Sequence, residues 1–295
     1  MLRIDPTQIA TKDLHQYMLG AVAPRPIAFA STISTEGVPN LAPYSFFNIF
    51  SSNPPIAIFS SNRRVANNTT KDTLKNVEDT GEVVINVVSH AIVRQMAVAS
   101  IEYGSDVSEF VKAGLTPLAS EMIKPFRVAE SPVQMECKVE RILPLGEGGG
   151  AGNLIICNIV LMHIAESVLN EKGRIDPNKI DLMGRMGRFY YARASGAAVE
   201  EIVQEVNIMG IGFDGLPDAI RHSPILTGNN LGQLAGMAAL PTSDVAMGLA
   251  ATDERVQRAL ASSSALQELH QYAKEALDQN QLELGAQLAV LGISI

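Results

Sequence analysis

The sequence predicts a mainly β domain of barrel or sandwich type with peripheral helices, followed by a C-terminal helical extension. Three observations carry this reading. Between residues 26 and 168, short runs rich in β-branched and aromatic residues alternate with turn residues, and few segments of helical period separate them. Beyond Asn207 the composition shifts to Ala, Leu, Gln and Glu, which favour helix. A length of 295 residues also lies near the upper limit for one hydrophobic core, so a main domain with an appendage fits better than two equal halves. The expected domains are 1–206 and 207–295.

PIAFASTIS forms a first strand, and EGVPN supplies the turn after it. NLAPYSFFNIF continues as an extended segment in which Pro43 is unsuited to an internal paired strand. NPPIAIFSS is the next strand. TKDTLKNVEDTG reads as a short helix closing at Gly81, with Thr70 or Asp72 as N-cap. EVVINVVS is again a strand, and SHAIVRQMAVAS returns to helical spacing with Ile92, Met96 and Val98 inward. QMECKVERILPL and NLIICNIVLMHIAESVL are two long strands flanking GEGGGAG. The stretch EEIVQEVNIM (residues 200–209) looks helical. A further helix is expected over residues 253–278, capped by Thr252.

The charge balance, 31 acidic against 23 basic residues for a net −8, lacks the electrostatic footprint of a nucleic-acid binder. An anionic ligand must therefore be held by a local cluster of cations. Cys137 and Cys157 are too far apart for a Cys-x-x-Cys pair and fall in strands, so they read as core residues. The N-terminus carries no signal-peptide pattern, and no apolar run is long enough to span a bilayer. A soluble, cytoplasmic protein is expected.

Two glycine-rich stretches imitate nucleotide loops. Gly146, Gly148 and Ala151 match G-x-G-x-x-A, but a dinucleotide fingerprint must open a helix and this one runs into NLIICNIV, so a hairpin loop is the better reading. Gly210, Gly212 and Gly215 are followed almost at once by Pro217 and carry a weak signal. The five histidines include no pair at metal-ligand spacing, so no metal site is expected. Neither a Walker A sequence nor a Gly-x-Ser-x-Gly elbow is present.

Residues 24–73 are more informative. Arg63, Arg64, Thr70, Lys71 and Thr73 gather cations and hydroxyls where a strand ends and a helix begins, which suits a phosphate. APYSFFN offers an extended aromatic wall for a planar ring. Taken singly, each segment reads more simply as solvated surface or as core.

Taken together, PRPIAFAST, NLAPYSFFN, PPIAIFSS, TTKDTLKNV and GEVVINVVS occur in an order that resembles the flavin reductase-like, FMN-binding split β-barrel family. GRMGRFYYAR resembles that family's distal Arg-x-Gly-Gly-x-x-Tyr element, departing from it at Met186 and Arg188. The resemblance implies a split β-barrel with FMN as cofactor and NAD(P)H as electron donor. It implies that Ser31 and Thr32 lie beside the flavin, that Pro43, Ser45, Phe46, Phe47 and Asn48 line the ring and ribityl chain, and that Ser60, Arg63, Lys71 and Thr73 hold the phosphate. Tyr190 is implied from the distal element, across a homodimer interface. The implied activity is hydride transfer to flavin N5, which requires no catalytic acid or base side chain because the cofactor carries the chemistry. Two rivals stay open: a carrier that holds FMN tightly and serves a protein partner, and a non-catalytic flavin-binding module. A monooxygenase partner is also left open.

Overall fold

A computed structural model describes residues 1–202 and 208–294. The chain divides into two compact units, Met1–Glu200 and Glu201–Ile295. The expected boundary after residue 206, and part of the helix expected over 200–209, lie outside the described residues.

The first unit is built on a seven-stranded sheet. Its strands are β1 (Ala28–Ile33), β2 (Pro39–Tyr44), β3 (Phe47–Ser52), β4 (Pro55–Ser60) and β5 (Glu82–Val87). After the two-residue strands β6 (Pro117–Leu118) and β7 (Arg127–Val128), which pair with each other, come β8 (Val133–Pro144) and β9 (Asn153–Ile164). The order across the sheet is β2-β1-β5-β8-β9-β4-β3, and every neighbouring pair is antiparallel. Pro43 sits on the edge strand β2, where its missing N–H costs no ladder bond. The two edge strands are consecutive in the chain, joined only through Ser45 and Phe46. A hairpin of β10 (Leu182–Arg185) and β11 (Tyr191–Ala194) follows.

Alternation along β1 buries both faces of the sheet. Ala28 and Ala30 pack with Phe59, Leu74 and Val77, whereas Phe29 packs with Leu41, Ile92, Met96 and Phe110. The helices α1 (Thr11–Ala21), α2 (Asp72–Thr80), α3 (Val93–Val98), α4 (Glu109–Ala113) and α5 (Pro177–Ile180) are peripheral. GEGGGAG is the β8–β9 hairpin loop, as its strand-like sequel predicts. Cys137 and Cys157 are free and buried; burial pushes the Cys137 thiol up to about 12 and raises that of Cys157 too.

Glu136 of β8 has no exposed surface. It accepts from the backbone N–H groups of Glu121 and Met122 at 2.9 and 2.7 Å and contacts His163 Nε2 at 2.8 Å. This carboxylate thereby pins the loop after β6 to the sheet.

The second unit is helical: α6 (Asp218–Arg221), α7 (Gly228–Ala235), α8 (Ser243–Thr252), α9 (Glu254–Leu260), α10 (Ala265–Asp278) and α11 (Leu282–Ile293). They enclose a core that includes Leu234, Leu269, Leu277 and Leu291. The TGNN segment forms a capping box, in which Thr227 and Asn230 satisfy each other's backbone N–H groups. The single helix expected over 253–278 is two helices, and Asp253, not Thr252, caps the first. The break falls at Ser262–Ser264, where the Ser262 hydroxyl accepts from Ser264 N–H and donates to Glu268, a local bonding pattern that competes with helix. Among the described residues, no helix is long and apolar enough to cross a membrane.

Candidate functional site

The N-terminus of α2 is the focus of the site. Its N-cap is Lys71, one position from both expected caps, and no side chain caps the helix. Its leading N–H groups thus add a positive partial charge to that of the lysine. Lys71 Nζ lies 4.9 Å from the centre of the Tyr44 ring and has no ion pair among the described residues. Burial lowers its pKa, the nearby Arg64 lowers it further, and Glu102 opposes them. Arg64 itself is neutralised by Glu102 at 2.9 Å.

Beside Lys71 the structure leaves buried polar atoms without partners. The Tyr44 hydroxyl and Ser61 Oγ are both orphaned among the described residues. Burial pushes the Tyr44 phenol up to about 12; the neighbouring Thr73 and Ser61 hydroxyls pull the other way without reaching bonding geometry. Unmatched buried donors of this kind are costly unless a ligand or water meets them.

A second layer holds this corner rigid. Asn40 donates to both Thr32 and Thr73, at 3.0 and 2.9 Å, and Asn76 donates to Thr32 at 3.0 Å. Behind the strand end, the glycine-rich hairpin grips residues 60–68. Asn153 donates to Ser61 O at 2.9 Å, and the Arg63 backbone exchanges two hydrogen bonds with Ala151 and Gly150. A Cβ at Gly149 would stand 2.9 Å from Val65 O, so this approach needs glycine. Arg63 bonds Asn68 twice, at 2.6 and 2.7 Å.

The ring-wall candidates occupy the seam between the edge strands. Pro43, Ser45 and Phe47 are half-buried, and Phe46 and Asn48 are exposed. Behind them lies Arg25, only 5% exposed. Its guanidinium donates to the carbonyls of Leu19 (2.7 Å), Val22 and Met186 (2.9 Å), and its Nε approaches Ser45 Oγ at 3.4 Å. Among the described residues it has no carboxylate partner.

The expected set is therefore gathered unevenly. Thr32 and Thr73 are joined through Asn40 but have no exposed surface, so neither is open to a ligand. Ser31 is equally sealed, and strand alternation sends its side chain to the opposite face, with Phe29. Ser60 is almost buried and donates to Asn62 at 2.7 Å. Tyr190 stands apart, in a separate groove against α1 that no other expected site residue lines. Sequence reasoning missed Tyr44, Ser61, Asn40 and Arg25. Tyr44 and Ser61 each adjoin an expected residue, whereas the roles of Asn40 and Arg25 depend on cross-strand partners.

Residues 19–185 match the family model of the flavin reductase like domain, more than half of the chain. The chain belongs to this family. A protein of Aquifex aeolicus is 39% identical over 183 residues, which are 62% of this chain and 91% of that one. The crystal structure of nitrilotriacetate monooxygenase component B from Bacillus cereus is 35% identical, with a TM-score of 0.63 over 69% of this chain and 98% of that one. A split-barrel-domain protein from Shewanella frigidimarina shares the fold at 22% identity, with a TM-score of 0.57, covering 69% of this chain and all of that one. Membership makes the chain a flavoprotein of flavin-dependent oxidoreduction. The second unit lies outside the family match.

Proposed function

We propose that the chain is an NAD(P)H-dependent FMN reductase whose flavin phosphate docks at the N-terminus of α2. The observation that carries this is an unneutralised, desolvated Lys71 at an uncapped helix start. A phosphate answers the lysine and the helix start together, whereas riboflavin brings no charge to either.

In this reading Lys71 and the α2 N–H groups hold the phosphate, with Arg63 and Ser60 at its margin. Asn40, Thr32 and Thr73 fix their geometry from behind. Pro43, Ser45, Phe46, Phe47 and Asn48 line the isoalloxazine and ribityl chain. Arg25 fixes the Ser45 turn, and its uncompensated charge favours electron-rich flavin. Ser31, paired on both sides within the sheet, stays behind the site, and Tyr190 lines a separate groove against α1. Bound there, the flavin would accept a hydride from NAD(P)H at N5. None of the residues in this set needs to exchange a proton for that half-reaction.

The connection between β2 and β3 supports a split barrel. A flat sheet of seven strands at about 4.8 Å spacing would hold its edges roughly 29 Å apart. The link from Tyr44 to Phe47 spans at most about 11 Å. A sheet curled until its edges meet at Ser45 and Phe46, where the ring would sit, satisfies both limits. The edge strand β3 exposes Ile49 and Phe50, which supports a homodimer covering that edge. The likeness to a monooxygenase component B supports a partner oxygenase as consumer of reduced flavin.

Mixing purified protein with FMN and NADH or NADPH, and following absorbance, tests the activity. Catalytic turnover of added FMN is expected. Bleaching of bound flavin without turnover would instead identify a carrier, and no change would identify a non-catalytic module.

A further inference from the structure

The cations at the start of α2 are already met in part by the protein itself. Arg64 donates from Nη1 to Thr69 Oγ1 at 3.0 Å and to the carbonyl of Thr70, which fixes its guanidinium against the backbone just ahead of Lys71. Its Nη2 lies 2.9 Å from Glu102 Oε1. Burial and Arg64 lower the Lys71 pKa whereas Glu102 raises it, so this carboxylate lies within electrostatic reach of both cations.

The two members of the pair are held differently. The Arg64 side chain is 24% exposed and that of Glu102 is 68% exposed. Glu102 belongs to the connection between α3 and α4. One end of that connection is anchored by Ile101 N–H, which donates to Val98 O at 3.1 Å. At the other end Glu109 accepts from Leu41 N–H of β2 at 2.9 Å. Glu102 thus reaches Arg64 as a side-chain arm from an anchored loop. An exposed carboxylate regains its water at little cost when it lets go, whereas the tethered guanidinium stays.

A phosphate monoester brings a charge of about −1.5 to −2 at neutral pH. At this corner it must either displace Glu102 from Arg64 or share the cations with it, and both lower its affinity. We infer that Glu102 is an internal anion that occupies Arg64 until the FMN phosphate displaces it, which keeps the flavin exchangeable. This rests on the flavin reductase reading above. Arg64 trades one oxyanion for another, and the freed carboxylate, still close by, repels the phosphate and speeds its departure. A flavin that arrives oxidised and leaves reduced needs such a site, whereas a permanently held one is better served without Glu102.

The test titrates FMN and riboflavin into the unaltered chain, Glu102→Gln, Arg64→Gln and the double variant, read by quenching of flavin fluorescence. Glutamine keeps the length of Glu102 and can still accept from Arg64, so only the charge is lost. FMN should bind Glu102→Gln about three- to tenfold more tightly, the effect of removing one screened like charge from beside a dianion. Its dissociation rate in stopped flow should fall by a similar factor, and riboflavin affinity should change less than about twofold. The gain should shrink in the Arg64→Gln background. It should also shrink between about 0.1 and 1 M salt, as the Debye length falls from about 10 to about 3 Å. The inference is overturned if Glu102→Gln binds FMN no more tightly than the unaltered chain, or if riboflavin gains equally. An unaltered chain that takes FMN while the variant gains nothing removes this inference alone; an unaltered chain that refuses FMN removes the flavin reading as well.

Discussion

Replacing Lys71 with methionine isolates the phosphate grip. The methionine keeps the length and apolar stem of the side chain, so packing against the Tyr44 ring survives while the charge is lost. Lys71 has no ion pair among the described residues and is desolvated, so its ammonium is uncommitted before ligand arrives. A hydrogen bond to a charged group contributes about 1.5–3 kcal/mol. FMN affinity should accordingly fall by roughly one to two decades. Riboflavin, which lacks the phosphate, should bind nearly as before. Titration of both ligands by quenching of flavin fluorescence measures the two affinities in one assay. The apoprotein should be no less stable, because the substitution also removes the repulsion between Lys71 and Arg64. Equal weakening of FMN and riboflavin would refute the assignment of Lys71 to the phosphate.

Other perturbations follow from the same geometry. Arg25→Met leaves the carbonyls of Leu19, Val22 and Met186 without their buried donor and should destabilise the first unit by about 1–3 kcal/mol; Arg25→Lys should not restore it, because an ammonium cannot reproduce the planar fork. Denaturant unfolding checks both. Burial raises the Glu136 pKa, but the N–H groups of Glu121 and Met122 together with His163 outweigh it and hold the carboxyl below its ordinary value. A depressed folded pKa adds stability above the unfolded value of about 4.3, and that stability is lost as pH falls through the folded value. Glu136→Gln should therefore flatten the acid limb of thermal stability below about pH 4.3, and an unchanged slope would count against the pairing. In the helical unit, a Cβ at Gly285 would stand 2.5 Å from Leu277 Cγ. Gly285→Ala should cost about 1–3 kcal/mol through overpacking of α11 on α10, read as a lower melting temperature.

Much of the first unit was legible in the sequence because its strands are short, β-branched and punctuated by turn residues. Pro43 announced an edge strand, and Gly81 announced the end of α2, where the chain adopts φ 70°. NLIICNIV correctly overruled the Rossmann reading of GEGGGAG, because a phosphate-binding glycine loop must open a helix. What period alone could not supply was the pairing between distant segments. Nothing in Asn40 itself reveals that it bridges Thr32 and Thr73, and nothing local to Arg25 reveals a bond to Met186, 161 residues away. Adjacent residues were also treated alike where the strand separates them: Ser31 and Thr32 face opposite sides of β1. In the second unit, propensity joined α9 to α10 across Ser262–Ser264, where hydroxyl bonds to Glu268 won over helix continuation.

Phosphorus and isoalloxazine positions in an FMN-soaked crystal bear most directly on all of this. Density for the phosphate within hydrogen-bonding distance of Lys71 Nζ, with the ring against Ser45 and Phe46, is the predicted result. An FMN bound elsewhere on the chain, or none at millimolar concentration, would contradict it.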